Sequence, residues 1–299
     1  MSTAEPSIGS SVLAERRQLA PSLVPFVRLL RVPRAVVCLV IVLVFVIGAV
    51  FAPLLAPYDP LAQDTNSSLQ GPSNVYLLGT DLLGRDELSR MMYGARVSLG
   101  IGLGAVSLGA IVGVSLGLVA GFTRGLTDEV IMRLMEVLLS FPGLILALGL
   151  VAALGPSVAT LVVAIGIGGI TGLSRLVRSR VLSVREHDFV LAARTIGARN
   201  LRTTLVHVWS NSLAPVIVAL SLGMGGAVLA EAGLSFLGVG VPPPTPSWGS
   251  MLQYSFGYLS IAPFLSFVPG VAIFLLVLSF NLIGGALRDA LDPSLRHGR

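Results

Sequence analysis

The 299-residue chain contains no lysine; all twenty of its basic side chains other than histidine are arginine. A Walker A loop needs a lysine at the phosphates, and a Schiff-base enzyme needs one as its amine, so neither chemistry belongs to this chain. Cysteine is almost missing as well. Cys38, inside an apolar run, offers no intrachain disulfide and no thiolate cluster. His187, His207 and His297 are scattered, without metal-ligand spacing. There is no HExxH, no pair of intramembrane aspartates and no Ser–His dyad at membrane depth. No catalytic residue and no metal ligand is therefore expected. Charge of either sign is scarce, at 12% of residues, where a soluble domain carries about a quarter. Much of the surface then has no means of facing water.

What the chain has instead is apolar length. Hydrophobic residues make up 54% of it, with 34 glycines, and the mean hydropathy is +0.87. Crossing about 30 Å of hydrocarbon takes about 20 apolar residues in a helix. Six runs qualify, near 35–55, 97–122, 130–154, 157–173, 212–237 and 264–287. Arginine is concentrated before the first run, between the second and third, between the fourth and fifth, and after the sixth. The long loop between the first and second is acidic, and the other two loops of that side carry no charge. The positive-inside rule then predicts a multi-pass protein of the cell (inner) membrane with both termini cytoplasmic. The same distribution explains the net charge of +5 without nucleic acid. The segment before the first run is too long for a signal-peptide n-region, so that run is expected to be retained. The chain divides into a cytoplasmic tail (1–34), a first span with an outer segment (35–96), a five-helix core (97–288) and a short cytoplasmic tail (289–299).

Several features carry possible mechanism. Gly109, Gly113, Gly117 and Gly121, preceded by Gly100 and Gly104, lie on one helical face and predict a close helix–helix seam. Residues 86–96 read as an amphipathic lead-in with Leu88, Met91, Met92 and Ala95 toward lipid. Phe141-Pro142 marks a kink in the third span, because proline removes a helix hydrogen bond. Glu136 and Glu231 are charges at membrane depth, where such groups are costly. Glu136 either lines a path or pairs with Arg133; Glu231 either shapes an outer gate or accepts bonds from the nearby backbone. With Pro142 they are the candidates for a translocation path or gate. Four prolines between Val241 and Pro246 exclude regular structure, and Trp248 is expected at the membrane interface. In the loop between the fourth and fifth spans, Asp188 caps a short helix whose apolar stripe is Phe189, Ala192, Ala193 and Ile196, and Gly197 ends it. From these residues alone, that basic elbow either fits a partner's groove or only sets topology.

The stretch Leu191-Ala192-Ala193-Arg194-Thr195-Ile196-Gly197 resembles the EAA loop of ABC importer permeases, whose pattern is Glu-Ala-Ala-x-x-x-Gly. Leu191 stands where that pattern has Glu, and Trp209-Ser210 where a Leu-Pro pair is usual. The wider run from Phe189 to Val208 is similar to the dipeptide, oligopeptide and nickel branch. Residues 78–86 (LGTDLLGRD), Ser89-Arg90, Tyr93–Arg96, Phe141-Pro142, Glu231–Gly238 and Pro246–Gly249 resemble its C-type subunit. The resemblance implies an all-α membrane protein of six transmembrane helices, the type I ABC importer permease fold with cytoplasmic coupling helices. It also implies that loop 186–210 docks on an ATPase through Asp188, Phe189, Ala192, Ala193, Arg194, Ile196 and Gly197. The implied partners are a second permease subunit in a heterodimer, two ATP-binding subunits or domains, and an extracytoplasmic substrate-binding protein. No cofactor would sit in this chain; ATP and Mg would be held by the partners. The expected cargo is dipeptides or oligopeptides. Nickel or another solute of the same family, and an ion-gradient-driven secondary transporter, are the competing readings.

Overall fold

The computed structural model describes residues 29, 30, 32–123, 125–186 and 209–291, the side chains of 209–212 excepted. Among them every regular element is helical, apart from one isolated bridge between Thr80 and Asp86, and residues 56–86 form mostly irregular loop. Helix α1 is Pro33–Val50, followed by a single turn at Ala52–Leu55. Helix α2 (Glu87–Leu108) runs through a π-turn (Gly109–Gly113) into α3 (Val114–Thr123). Then come α4 (Leu126–Leu139), α5 (Gly143–Leu154), α6 (Val158–Arg185), α7 (Trp209–Phe236), α8 (Trp248–Phe256) and α9 (Phe264–Leu291).

Five of these segments are each long and apolar enough to cross a bilayer: α1, α2 with α3, α6, α7 and α9. The third expected span is not one straight rod. Helices α4 and α5 meet at an angle of 88°, far more than a simple proline kink. Gly143 starts α5 directly after Pro142, which takes the extended N-cap position with ψ 126°. Proline cannot donate to the previous turn, and its ring disfavours helix in the residue before it, so α4 ends at Leu139.

The glycine stripe decides how this broken segment lies. A Cβ on Gly109 would fall 3.2 Å from the Gly169 Cα, and one on Gly117 would fall 2.6 Å from the Ser174 carbonyl oxygen. At Gly121 it would fall 2.7 Å from the Val181 Cβ. The expected seam is therefore present, and its partner is α6. The contacts advance along both helices in the same direction, so α2–α3 and α6 run parallel. The chain leaves α3 at one end of α6 and must re-enter α6 at the other. Asp128, in the first turn of α4, pairs with Arg178 at 2.5 Å, while Leu154 is four residues from Val158. These two points lie about 30 Å apart along α6 at 1.5 Å per residue. The bent pair thus traverses the bundle and counts as one span.

Two boundaries depart from expectation. Helix α2 begins at Glu87, with Asp86 as its N-cap, and α6 continues to Arg185, twelve residues beyond the apolar run. The arginines of that extension read as loop, but Arg178 finds Asp128, and Arg185 donates to the carbonyls of Gly121 and Phe122 at 3.0 and 2.7 Å. Those bonds satisfy carbonyls left open at the end of α3. Around the bundle, α1 packs on α9 and α2, α7 packs on α9, and α8 lies across α7 and α9.

Gly117→Leu is expected to destabilise the chain by about 3 kcal/mol, because overpacking forces the seam apart. Gly172→Ala, where nothing lies within 4 Å of an added Cβ, should stay within about 1 kcal/mol of the parent. Thermal unfolding in detergent measures both.

Candidate functional site

The break at Pro142 opens a cavity of about 640 Å³ at membrane depth. It is bounded by α2, the end of α4, the start of α5, the middle of α6 and the face of α7 that carries Gly223 and Gly226. Phe141, Leu144 and Ala147 come from the bent pair, and Gly168 and Gly172 from α6. Thr171 is the one polar side chain in the lining, and its hydroxyl already donates to the Gly168 carbonyl at 2.9 Å. Such a wall makes no demand on charge. A flexible solute passing over glycine, alanine and leucine would meet shallow contacts with no strong binding point, which suits passage better than retention.

Of the three path candidates, only the Phe141-Pro142 corner touches this cavity. Pro142 forms the corner and Phe141 lines the wall. Glu136 lies exposed on α4 and takes a 3.1 Å bond from Arg133. Glu231 is enclosed completely on α7. Ser235 donates to its Oε1 at 2.7 Å. The hydroxyls of Ser98 on α2 and Ser247 ahead of α8 also surround the carboxyl, although Oε2 lacks a partner of ordinary geometry. Glu231 therefore sits enclosed where α7, α2 and the start of α8 meet, bonded within its own helix through Ser235. The coupling residues Asp188, Phe189, Ala192, Ala193, Arg194, Ile196 and Gly197 lie outside the described residues.

Trp248 belongs to the same node. It is fully buried rather than interfacial. Its Nε1 donates to the Met91 carbonyl at 3.0 Å, its backbone N–H to Ser98 Oγ at 3.3 Å, and its ring meets Phe45 edge-on at 5.2 Å. Met91 and Ala95, expected toward lipid, pack against it instead. The tryptophan turns the lead-in of α2 inward. A capping box between Ser247 and Ser250 starts α8 at that point.

The N-terminal end of α2 is held by charge. Asp81 accepts from Arg85 Nε at 2.7 Å and lies 3.4 Å from Arg90 Nε. Its Oδ1 also accepts from the backbone of Leu83 and Arg85 at 2.9 and 3.0 Å. Arg90 reaches the Pro60 carbonyl at 3.2 Å, tying the acidic loop to the helix. At Gly84, where φ is +70°, the Asp64 carbonyl occupies the place of a side chain, so only glycine fits. The only sequence signal for this network was the compact motif at 78–86. Nothing in its spacing announced the pairing with Arg90 and Pro60.

Glu231→Gln should leave the node intact, because an amide still accepts from Ser235 and can donate to Ser98 or Ser247. Glu231→Leu removes the acceptor from buried hydroxyls and should cost about 1–3 kcal/mol, read as a lowered unfolding temperature of the purified chain.

Comparison with known proteins agrees with this geometry. Residues 113–297 match the family described as binding-protein-dependent transport system inner membrane component. Residues 25–72 match the N-terminal TM domain of oligopeptide transport permease C. The chain is 44% identical over 262 residues to the dipeptide transport system permease protein DppC of Alkalihalophilus pseudofirmus, covering 88% of this chain and 86% of that protein. It is 45% identical over 265 residues to the di/tripeptide transport system permease protein DppC of Pseudomonas aeruginosa, with 87% and 88% covered. To the glutathione transport system permease protein GsiD of Pectobacterium atrosepticum it is 41% identical over 270 residues, with 90% of each covered. In fold it is similar to the MetNI methionine ABC transporter in inward-facing conformations, with TM-score 0.57 and 16% identity over 68% of this chain and 97% of that one. An all-helical bundle with a broken third span, an apolar cavity and this degree of likeness along most of its length belongs to the binding-protein-dependent transport system inner membrane components, the membrane-spanning permeases of ABC importers.

Proposed function

We propose that this chain forms half of a path for di- and oligopeptides in an ATP-driven importer, and that it takes its energy from separate ATPase subunits through loop 186–210. The observation that carries the reading is the continuity of α6. One helix lines the cavity from Ala164 to Leu176 and ends at Arg185, where the loop begins. A displacement of the loop would reach the cavity wall through a rigid rod. The Arg178–Asp128 pair would carry it to α4, and the Arg185 contacts to α3. In this reading Asp188, Phe189, Ala192, Ala193, Arg194, Ile196 and Gly197 seat the elbow on the ATPase, and both chain termini share its side of the membrane.

The peptide assignment follows the names of the relatives. An extracytoplasmic binding protein would deliver the peptide, and a second permease subunit would close the path opposite the cavity. ATP binding favours whichever arrangement of the path the assembled ATPases hold more tightly, which is a shift between two states rather than a chemical step in this chain. An ion-coupled mechanism has less support, because the cavity wall carries no ionisable side chain and ion-coupled transporters place such groups near the midplane.

Ala193→Arg and Gly197→Pro are expected to lower ATP-driven peptide uptake at least tenfold while membrane insertion and expression stay unchanged. Uptake by the assembled transporter in vesicles, normalised to the amount of inserted chain, measures this. Parental uptake in both variants would remove the docking role.

A further inference from the structure

A second enclosed space lies on the outer side, apart from the membrane cavity. It has a volume of about 440 Å³ and is walled by the turn at 81–85, the first turn of α2, the proline-rich loop and α8. Two carboxylates and two guanidinium groups line it: Asp81, Glu87, Arg85 and Arg90. Three of them are used by the fold. Asp81 holds both arginines, and Arg90 also reaches Pro60. Glu87 differs. Only 2% of it is exposed to solvent, its backbone N–H donates to the Gly79 carbonyl at 3.0 Å, and its carboxyl makes no hydrogen bond among the described residues. Its oxygens are not sealed away without a partner; Glu87 lines the cavity, where donors from a ligand can reach it.

The wall carries both carboxyl and guanidinium groups, so a ligand with one charged end meets only half of it. A molecule with separated charges fits better. An ammonium group offers Glu87 up to three donors. Tyr254 and Tyr258 also line the space, and aromatic rings attract cations. Arg85 uses only its Nε on Asp81, which leaves the rest of its fork for a carboxylate. The volume lies within the range of small-molecule sites, about 300–1,000 Å³.

We propose that this outer cavity binds a zwitterionic primary amine, with Glu87 opposite the ammonium group and Arg85 opposite the carboxylate. The ligand chemistry is that of a free amino acid or a short peptide with an open N-terminus. Resting on the peptide-transport reading, the site is a waypoint that selects the free amino end before the solute reaches the uncharged membrane cavity.

The test uses the full chain assembled with its partner subunits in lipid nanodiscs, without binding protein, and equilibrium binding of radiolabelled probes. Ala-Ala is expected to bind saturably. N-acetyl-Ala-Ala, which lacks the ammonium group, should bind at least tenfold more weakly. Glu87→Gln should weaken Ala-Ala at least tenfold and leave N-acetyl-Ala-Ala unchanged. Thr245→Trp, which adds bulk at a lining position of the cavity, should abolish Ala-Ala binding. Alanine binding as tightly as Ala-Ala supports the site and assigns it to amino acids; tighter Ala-Ala supports it and assigns it to peptides. Parental Ala-Ala affinity in Glu87→Gln, or equal affinity for the acetylated probe, overturns the proposal. If Glu87→Gln fails to assemble, Thr245→Trp decides, and parental binding in that variant overturns it. Failure here with intact ATP-driven uptake leaves the transport reading standing, whereas loss of ATP-driven uptake in the parental complex removes the transport reading.

Discussion

Helices in lipid gain little by hiding apolar surface from one another, because lipid is already apolar; close backbone contact has to supply the attraction. In this chain that contact is the glycine stripe of α2–α3 against α6. At Gly109, Gly113, Gly117 and Gly121 an added Cβ would lie 2.6–3.2 Å from α6, closer than side chains tolerate. The two helices run parallel, so the segment between them has to cross the bundle again. Pro142 breaks that crossing segment, and the space beside the break is the membrane cavity. The position of the cavity therefore follows from two features of ordinary chemistry: side chains that are missing along one helix face, and a backbone donor that is missing in the next span.

The ends of the bundle are organised differently from its middle. At one end, Arg178 and Arg185 secure α4 and α3 to the extension of α6. At the other, Asp81 gathers Arg85 and Arg90, while Trp248 ties α8 to α2. The cavity between them has no ionisable side chain in its lining and a single hydroxyl, that of Thr171, already bonded to the Gly168 carbonyl. This division separates polar fastenings at the two ends of the bundle from an uncharged cavity in its middle.

The apolar runs and the glycine spacing were legible in the sequence because both are local periodic signals. Gly109 to Gly121 announced a seam, and the Arg133–Glu136 pair is a simple helical neighbour contact. The motifs at 78–86 and 191–197 disclosed the family. What was hidden depends on partners far along the chain. Arg178 read as part of a loop because Asp128, fifty residues earlier, gives it a reason to stay helical. Met91 and Ala95 read as lipid-facing because Trp248, which covers them, lies more than 150 residues away. Pro142 signalled a bend, but 88° is set by the distance the broken span must cover, which no local pattern encodes. Glu87 drew no notice, since nothing near it in sequence tells that its carboxyl faces an enclosed space.

Transport energised from outside this chain is the claim on which the functional account stands. The direct measurement is uptake of a labelled dipeptide by vesicles containing the complete transporter and its binding protein, with ATP supplied on the loop side and all ion gradients collapsed. Accumulation that persists under those conditions, and stops when the ATPase subunits are omitted, is the predicted result. Accumulation that needs a proton or sodium gradient and proceeds without the ATPases would contradict it.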